Sequence, residues 1–180
     1  MNIILFGFKG CGKTHFGKFL SSTLKRPFID TDDLIVEWYK QQYGKTCSIR
    51  AIHHALQEKA FRDVEKRVIH QLKANADCVI SIGGGSVLDL SNVTHLQKIG
   101  RLVHLKIDFD KVHKRILDHG VPSFVDPKDP FSSLYRIYQE RMPIYEAISA
   151  ECVDVGLLEE SVVIDCLSEI FNQEAFSYGF

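Results

Sequence analysis

No run in these 180 residues approaches the ~20 consecutive apolar residues of a membrane span. The opening apolar run is too short for a cleavable signal peptide and lacks the basic start of one. An excess of one charge is also missing. Lys and Arg number 22, Asp and Glu 23, the net charge is −1 and the pI is near 6.7. That balance gives no electrostatic case for nucleic acid. The five cysteines (Cys11, Cys47, Cys78, Cys152, Cys166) form no C-x-x-C pair, and their number is odd. Free thiols in a reducing compartment are expected, hence a cytoplasmic chain without a membrane or nucleic-acid partner. The eight histidines are scattered with no spacing that suggests zinc. Internal repeats, low-complexity segments and an N-K-x-D guanine motif are all absent, which argues against a GTPase switch.

The composition, 45% hydrophobic and 25% charged, reads as a soluble globular chain, and its length suits one domain. The organising stretch is Gly7-Phe8-Lys9-Gly10-Cys11-Gly12-Lys13-Thr14. It follows the apolar run Ile3–Phe6 and precedes a helical pattern with Phe16, Phe19, Leu20 and Leu24 on one face. Strand, glycine-rich loop and helix together make G-x-x-x-x-G-K-[ST] a phosphate-binding loop. Its glycines let backbone N–H groups approach an anion, and the helix adds its positive dipole end. Lys13 can reach the β- and γ-phosphates of a nucleoside triphosphate, and the Thr14 hydroxyl can hold Mg²⁺. A glycine-rich turn with a solvated lysine is the alternative, but all four fixed positions and both flanks match. The expected nucleotide contacts are Gly10, Cys11, Gly12, Lys13, Thr14 and His15.

Further strands are expected at Phe28–Ile29, Cys78–Ile82, Arg101–Ile107 and Cys152–Val155, with helical patterns between them. That alternation implies parallel pairing and an α/β layered fold, with ligands at the carboxyl ends of the strands. Residues 34–74 read as helix after helix with no strand, an inserted lobe beside the site. Ser48 is a candidate cap there, and Phe61, Val64, Val68 and Leu72 form a stripe. Residues 119–130 hold three of the five prolines and read as an irregular loop, a lid by its length. A frayed tail is expected beyond Phe171.

Asp30 and Asp32, read as i and i+2 on a strand, would share one face. One would hold Mg²⁺ through water and the other would accept a hydroxyl hydrogen bond or act as base. Asp32 or Asp33 could instead cap the next helix. Gly83-Gly84-Gly85 suggests a ligand that needs bare backbone, or a tight turn. No aspartate ends the strand before it, and Asp108 ranks low as a metal partner. Arg62 and Glu65 could be a simple surface pair. Arg141, just before a proline, could be a solvated cation near a helix end.

Taken in order, the phosphate loop, D-T-D, S-I, F-R-x-x-E, G-G-G and R-x-P-x-Y resemble shikimate kinases, from about Asn2 to Val155. The resemblance implies a three-layer P-loop kinase fold like that of nucleoside monophosphate kinases: a five-stranded parallel sheet flanked by helices, with a substrate lobe and a lid. It implies ATP and Mg²⁺ as cofactors, shikimate as the acceptor and its 3-hydroxyl as the site of phosphorylation. By matching position, Asp32 contacts the accepting hydroxyl and Asp30 sits near Mg²⁺. Arg62 and Arg141 grip the carboxylate. Gly83, Gly84 and Gly85 line the ring, and Phe61 packs on it. Arg115 would stack on adenine. A monomer is expected. Gluconate or another small hydroxy acid is an alternative acceptor, and a nucleotide-binding regulatory module is the alternative class.

Three regions depart from the family pattern. Its lid arginine is replaced by Val121, in Val121-Pro122-Ser123-Phe124. Its G-E reads Gln57-Glu58, and a pocket aromatic is His53. Its adenine loop reads Val153-Asp154-Val155-Gly156-Leu157. Lys128, the only permanent cation between His119 and Pro130, is the candidate substitute for the arginine, with Arg115 or Arg136 as others.

Overall fold

The computed structural model describes residues 1–74, 76–119, 122, 125, 126, 128–148 and 151–172. Five strands form one sheet: β1 (Asn2–Phe6), β2 (Phe28–Asp30), β3 (Val79–Ser81), β4 (Gly100–Lys106) and β5 (Glu151–Asp154). Their order is β2-β3-β1-β4-β5 and every pairing is parallel. A parallel strand covered on both faces needs a continuous apolar run rather than an alternating one. The central strand β1, Asn-Ile-Ile-Leu-Phe, is buried at all five positions. Asn2 is its one polar residue and is fully hydrogen-bonded. Its amide donates to the carbonyls of Lys73 (2.8 Å) and Ile99 (2.9 Å) and accepts from the Cys78 N–H (3.1 Å). One buried side chain thus ties together the segments that enter three neighbouring strands.

The helices are α1 (Lys13–Leu24), α2 (Thr31–Tyr43), α3 (Ile49–Gln71), α4 (Leu90–Ile99), α5 (Phe109–His119), α6 (Pro130–Ile148) and α7 (Glu160–Asn172), with a 3-10 turn at Ser86–Leu88. None among the described residues is long and apolar enough to cross a membrane. Because all strands run the same way, the phosphate loop, Asp30, the glycine run and the β4 and β5 exits emerge at one edge of the sheet.

A large core surrounds the sheet. A second, smaller one joins Ile35 of α2 to Ile52, Phe61, Val64 and Val68 of α3. Leu72, expected on the same stripe, belongs to the main core. Ser48 does cap α3, accepting from the Ala51 N–H at 3.3 Å. The cap of α2 is Asp30, not Asp32 or Asp33: its Oδ1 accepts from the Asp32 N–H at 3.0 Å. The strand ends at Asp30, so Asp32 lies in the first helical turn and the shared-face argument for a strand does not apply. Arg141 sits inside α6, with Pro143 also within the helix, rather than near a helix end. Of the long loop, Pro122 and Val125 are buried; Gly120, Val121, Ser123, Phe124 and Pro127 lie outside the described residues, as does the tail from residue 173.

The helix α3 is interrupted at Gln57, which has φ 62° and ψ 167°. That region is almost exclusive to glycine and costs of order 1–3 kcal/mol for a residue with a Cβ. Relief of this strain outweighs the extra freedom that glycine gives the unfolded chain. Gln57→Gly is expected to stabilise the fold by about 1 kcal/mol, read as a higher denaturation midpoint at unchanged slope. A lower midpoint would show that the kink is not strained.

Candidate functional site

The loop after β1 departs from ordinary backbone at Gly7 (φ 148°), Gly10 (φ 87°) and Gly12 (φ 96°). Space matters too: a Cβ on Gly7 would lie 2.5 Å from the Leu105 carbonyl oxygen. Lys13 lies back across the loop, donating to the carbonyls of Gly7 (3.0 Å) and Phe8 (3.2 Å). Cys11 is fully buried beneath it. Arg115 of α5 donates to the Gly10 carbonyl at 3.0 Å, so the expected adenine residue is tied to the loop. His15 Nε2 lies 3.0 Å from Glu160 Oε1 at the start of α7.

A cavity of about 770 Å³ opens over this loop and runs to the α3 side. Lys13, Thr14, His15, Asp30, Asp32, Phe61, Arg62, Gly83, Gly84, Gly85, Arg115 and Arg141 all line it, as do Gly10 and Gly12. Cys11 alone of the expected site residues does not. Lys128 and Arg136 are not lining residues either; both are exposed.

The Thr14 hydroxyl donates to Asp30 Oδ2 at 2.7 Å. With its other oxygen used as the helix cap, Asp30 is held on both sides. Two adjacent oxygen donors beside a phosphate loop suit Mg²⁺, which takes few protein ligands and keeps waters and phosphate oxygens. Among the described residues no cluster of three His, Cys, Asp or Glu suits a metal. The carboxyl of Asp32 is different. Burial and then the negative charge of Asp30 push it up to about 6, against the pull of Lys13 and Lys9. A carboxyl titrating there is suited to taking a proton near neutral pH.

The glycine run lines the opposite wall. None of its three residues has positive φ, so the reason for glycine is close approach. A Cβ on Gly83 would meet Glu65 Oε1 at 2.7 Å, one on Gly84 the Gly7 carbonyl oxygen at 2.9 Å, and one on Gly85 the Arg62 guanidinium at 2.5 Å. The Tyr145 hydroxyl donates to the Gly84 carbonyl at 2.7 Å. Arg141, one turn before it on α6, stands 5.9 Å over the Phe8 ring.

Arg62 and Glu65 are not a surface pair. Glu65 is 2% exposed; it accepts from Arg62 Nη1 at 2.8 Å and from the Ser86 hydroxyl at 2.8 Å. Arg62 Nε also donates to Glu58 at 2.8 Å, and the other oxygen of Glu58 meets His53 Nε2 at 2.8 Å. Burial raises the Glu58 carboxyl, but the Arg62 and His53 contacts outweigh it and hold it below its ordinary value. His53 leans on the Phe61 ring, centroids 4.7 Å apart. Sequence reasoning missed Glu65 as a buried anchor, because an i, i+3 spacing is the same on an exposed face. It also missed Lys9, which lines the cavity from a position that the loop motif leaves unspecified.

A model of the shikimate kinase family matches residues 9–171. The shikimate kinase of Caldicellulosiruptor saccharolyticus is 36% identical over 166 residues, 90% of this chain and 93% of that one. That of Streptococcus gordonii is 36% identical over 174 residues, 93% of this chain and all of the other. Among solved structures, shikimate kinase from Acinetobacter baumannii in complex with shikimate gives a TM-score of 0.80 at 24% identity, covering 98% of this chain and 94% of that one. The likeness of fold at that identity agrees with the five-stranded parallel sheet found here. From the phosphate loop to the last helix, this chain belongs to the shikimate kinase family.

Proposed function

We propose that the cavity is the active site of an ATP-dependent shikimate kinase, in which the 3-hydroxyl of shikimate takes the γ-phosphoryl group and ADP leaves. The observation that carries this reading is the position of Asp32. A single open space joins its raised carboxyl to the phosphate loop on one side and to the Arg62–Gly85 wall on the other. ATP lies along Gly10–Thr14, with Lys13 leaving the loop carbonyls for the β- and γ-phosphates. Thr14 and Asp30 hold Mg²⁺, which neutralises phosphate charge when bound.

A guanidinium has five N–H donors. Two of those on Arg62 are used by Glu58 and Glu65, which leaves three for the acceptor carboxylate. Arg141 approaches the same carboxylate from α6. Phe61 and the glycine run accept the flat apolar and polar faces of the ring. Asp32 receives the hydroxyl hydrogen bond and takes the proton as the new P–O bond forms. The helical lobe at 34–74 serves the acceptor and residues 119–130 the lid, within one domain spanning 1–180. All five cysteines are free, which supports a reducing, cytoplasmic compartment, and a monomer is the working unit.

The test is ADP release across a panel of acceptors. Shikimate-dependent release with little for gluconate is expected; ATP binding without acceptor-dependent release would instead favour a regulatory module. Arg62→Ala and Arg141→Ala are each expected to raise KM for shikimate about tenfold to a hundredfold, the worth of a charge-assisted contact, and KM for ATP little. If either acted on ATP alone, the acceptor side would be misassigned.

As a base, Asp32 must be ionised, so kcat/KM for shikimate is expected to fall below about pH 6. Asp30→Asn removes a neighbouring negative charge and moves that limb to lower pH. The same shift bears on stability. Folding raises the Asp32 pKa from 3.8 to about 6, so the folded chain holds this proton more tightly than the unfolded one. The stabilising contribution is full below the unfolded value and is lost as pH rises through the folded one. At alkaline pH, Asp32→Asn is therefore expected to melt higher than the parent while losing most turnover. A lower Tm with intact turnover would remove Asp32 from this role.

A further inference from the structure

A phosphoryl group in transit carries its charge on three oxygens, in line between the leaving ADP and the attacking hydroxyl. Lys13 meets it from the ADP side. From the acceptor side a second cation would be effective in a cavity shielded from water. Three arginines that line the cavity are engaged: Arg62 by Glu58 and Glu65 and Arg141 over Phe8 on the acceptor side, and Arg115 by the Gly10 carbonyl at the loop. Lys128 is exposed and is not a lining residue, and its backbone N–H donates to Asp126.

Lys9 differs from all of these. It is the third residue of the phosphate loop, it lines the cavity and its side chain is exposed. A Cβ on Gly84 would lie 3.7 Å from its backbone nitrogen, so Lys9 stands at the seam between the loop and the acceptor wall. Lys9 and Lys13 both act electrostatically on the Asp32 carboxyl. Among the described residues, no hydrogen bond or ion pair engages the Lys9 ammonium, which leaves it available to a ligand. Arg50 also lines the cavity, but from the first turns of α3, and it is not among the main charges acting on Asp32.

We propose that Lys9 is a catalytic residue whose ammonium contacts the oxygens of the transferring phosphoryl group, at the junction of the phosphate loop and the acceptor wall. This rests on the shikimate kinase reading above. In the step, the bond from the γ-phosphorus to the ADP oxygen breaks and its electron pair leaves with ADP. A bond to the acceptor oxygen forms, and the hydroxyl proton passes to Asp32. Lys9 exchanges no proton; it compensates charge that Val121 has no means to meet.

The experiment compares Lys9→Met, Lys9→Arg and Lys128→Ala in steady state at pH 8, well above the Asp32 limb. Lys9→Met keeps the length of the side chain and removes its charge. It is expected to lower kcat about a hundredfold, at the low end of the ~10²–10³ measured for such donors, with both KM values within about threefold. Lys9→Arg restores most of the rate, and Lys128→Ala stays within about twofold. Binding of ADP with fluoroaluminate and shikimate, a mimic of the group in transit, weakens in Lys9→Met while ADP alone binds as before. A Lys9→Met kcat within about twofold of the parent overturns the proposal. So does a loss at pH 6 that disappears at pH 8, which would confine Lys9 to tuning Asp32. A parent enzyme that turns over a different acceptor would refute the shikimate reading alone, and Lys9→Met would then be read with that acceptor. A parent with no acceptor-dependent turnover overturns both.

Discussion

A single buried carboxylate, Glu65, holds the α3 side of the cavity together. An ionised group at 2% exposure is tolerable only when hydrogen bonds replace the water it has lost. Here Arg62 supplies one and Ser86 the other, and the two come from different elements, α3 and the turn after β3. The α3 helix is thereby locked to the segment after β3. The glycine run follows from the same need. Side chains at 83 or 85 would occupy the space taken by the Glu65 carboxylate and the Arg62 guanidinium. A stretch that looks like a flexible loop is, in this light, a wall kept bare so that a charge pair can lie against it.

Sheet and loop were legible because they rest on local rules. Ile3–Phe6 had no polar face to offer solvent, and Gly7–Thr14 matched a pattern whose glycines the backbone requires. The site was legible only in outline. That Asp30 rather than Asp32 caps α2 depends on where the strand stops, a boundary that composition does not mark. That Glu65 is buried depends on how α3 lies on the β3 exit, a tertiary matter. The kink at Gln57 had one signal, the departure from a glycine in the family pattern, but only the dihedral angles reveal its meaning.

Costs gather where chemistry is done. Gln57 carries backbone strain and Asp32 resists ionisation. Each is unfavourable for the folded chain alone. The strain directly precedes Glu58, the carboxylate shared by His53 and Arg62, so the kink aims the support of an arginine that lines the cavity. Stability is surrendered at such positions and recovered in the sheet core, where Asn2 is fully hydrogen-bonded and the central strand is buried along its whole length.

The burial of Cys11 has a further consequence, for chemical labelling. Its thiol is wholly covered by the phosphate loop, and a Cβ on Gly7 would lie 3.1 Å from its sulfur. An alkylating reagent can reach it only when the loop comes apart. The rate of modification at this sulfur is therefore a clock for local opening, one that a bound polyphosphate slows by the free energy with which it holds the loop closed.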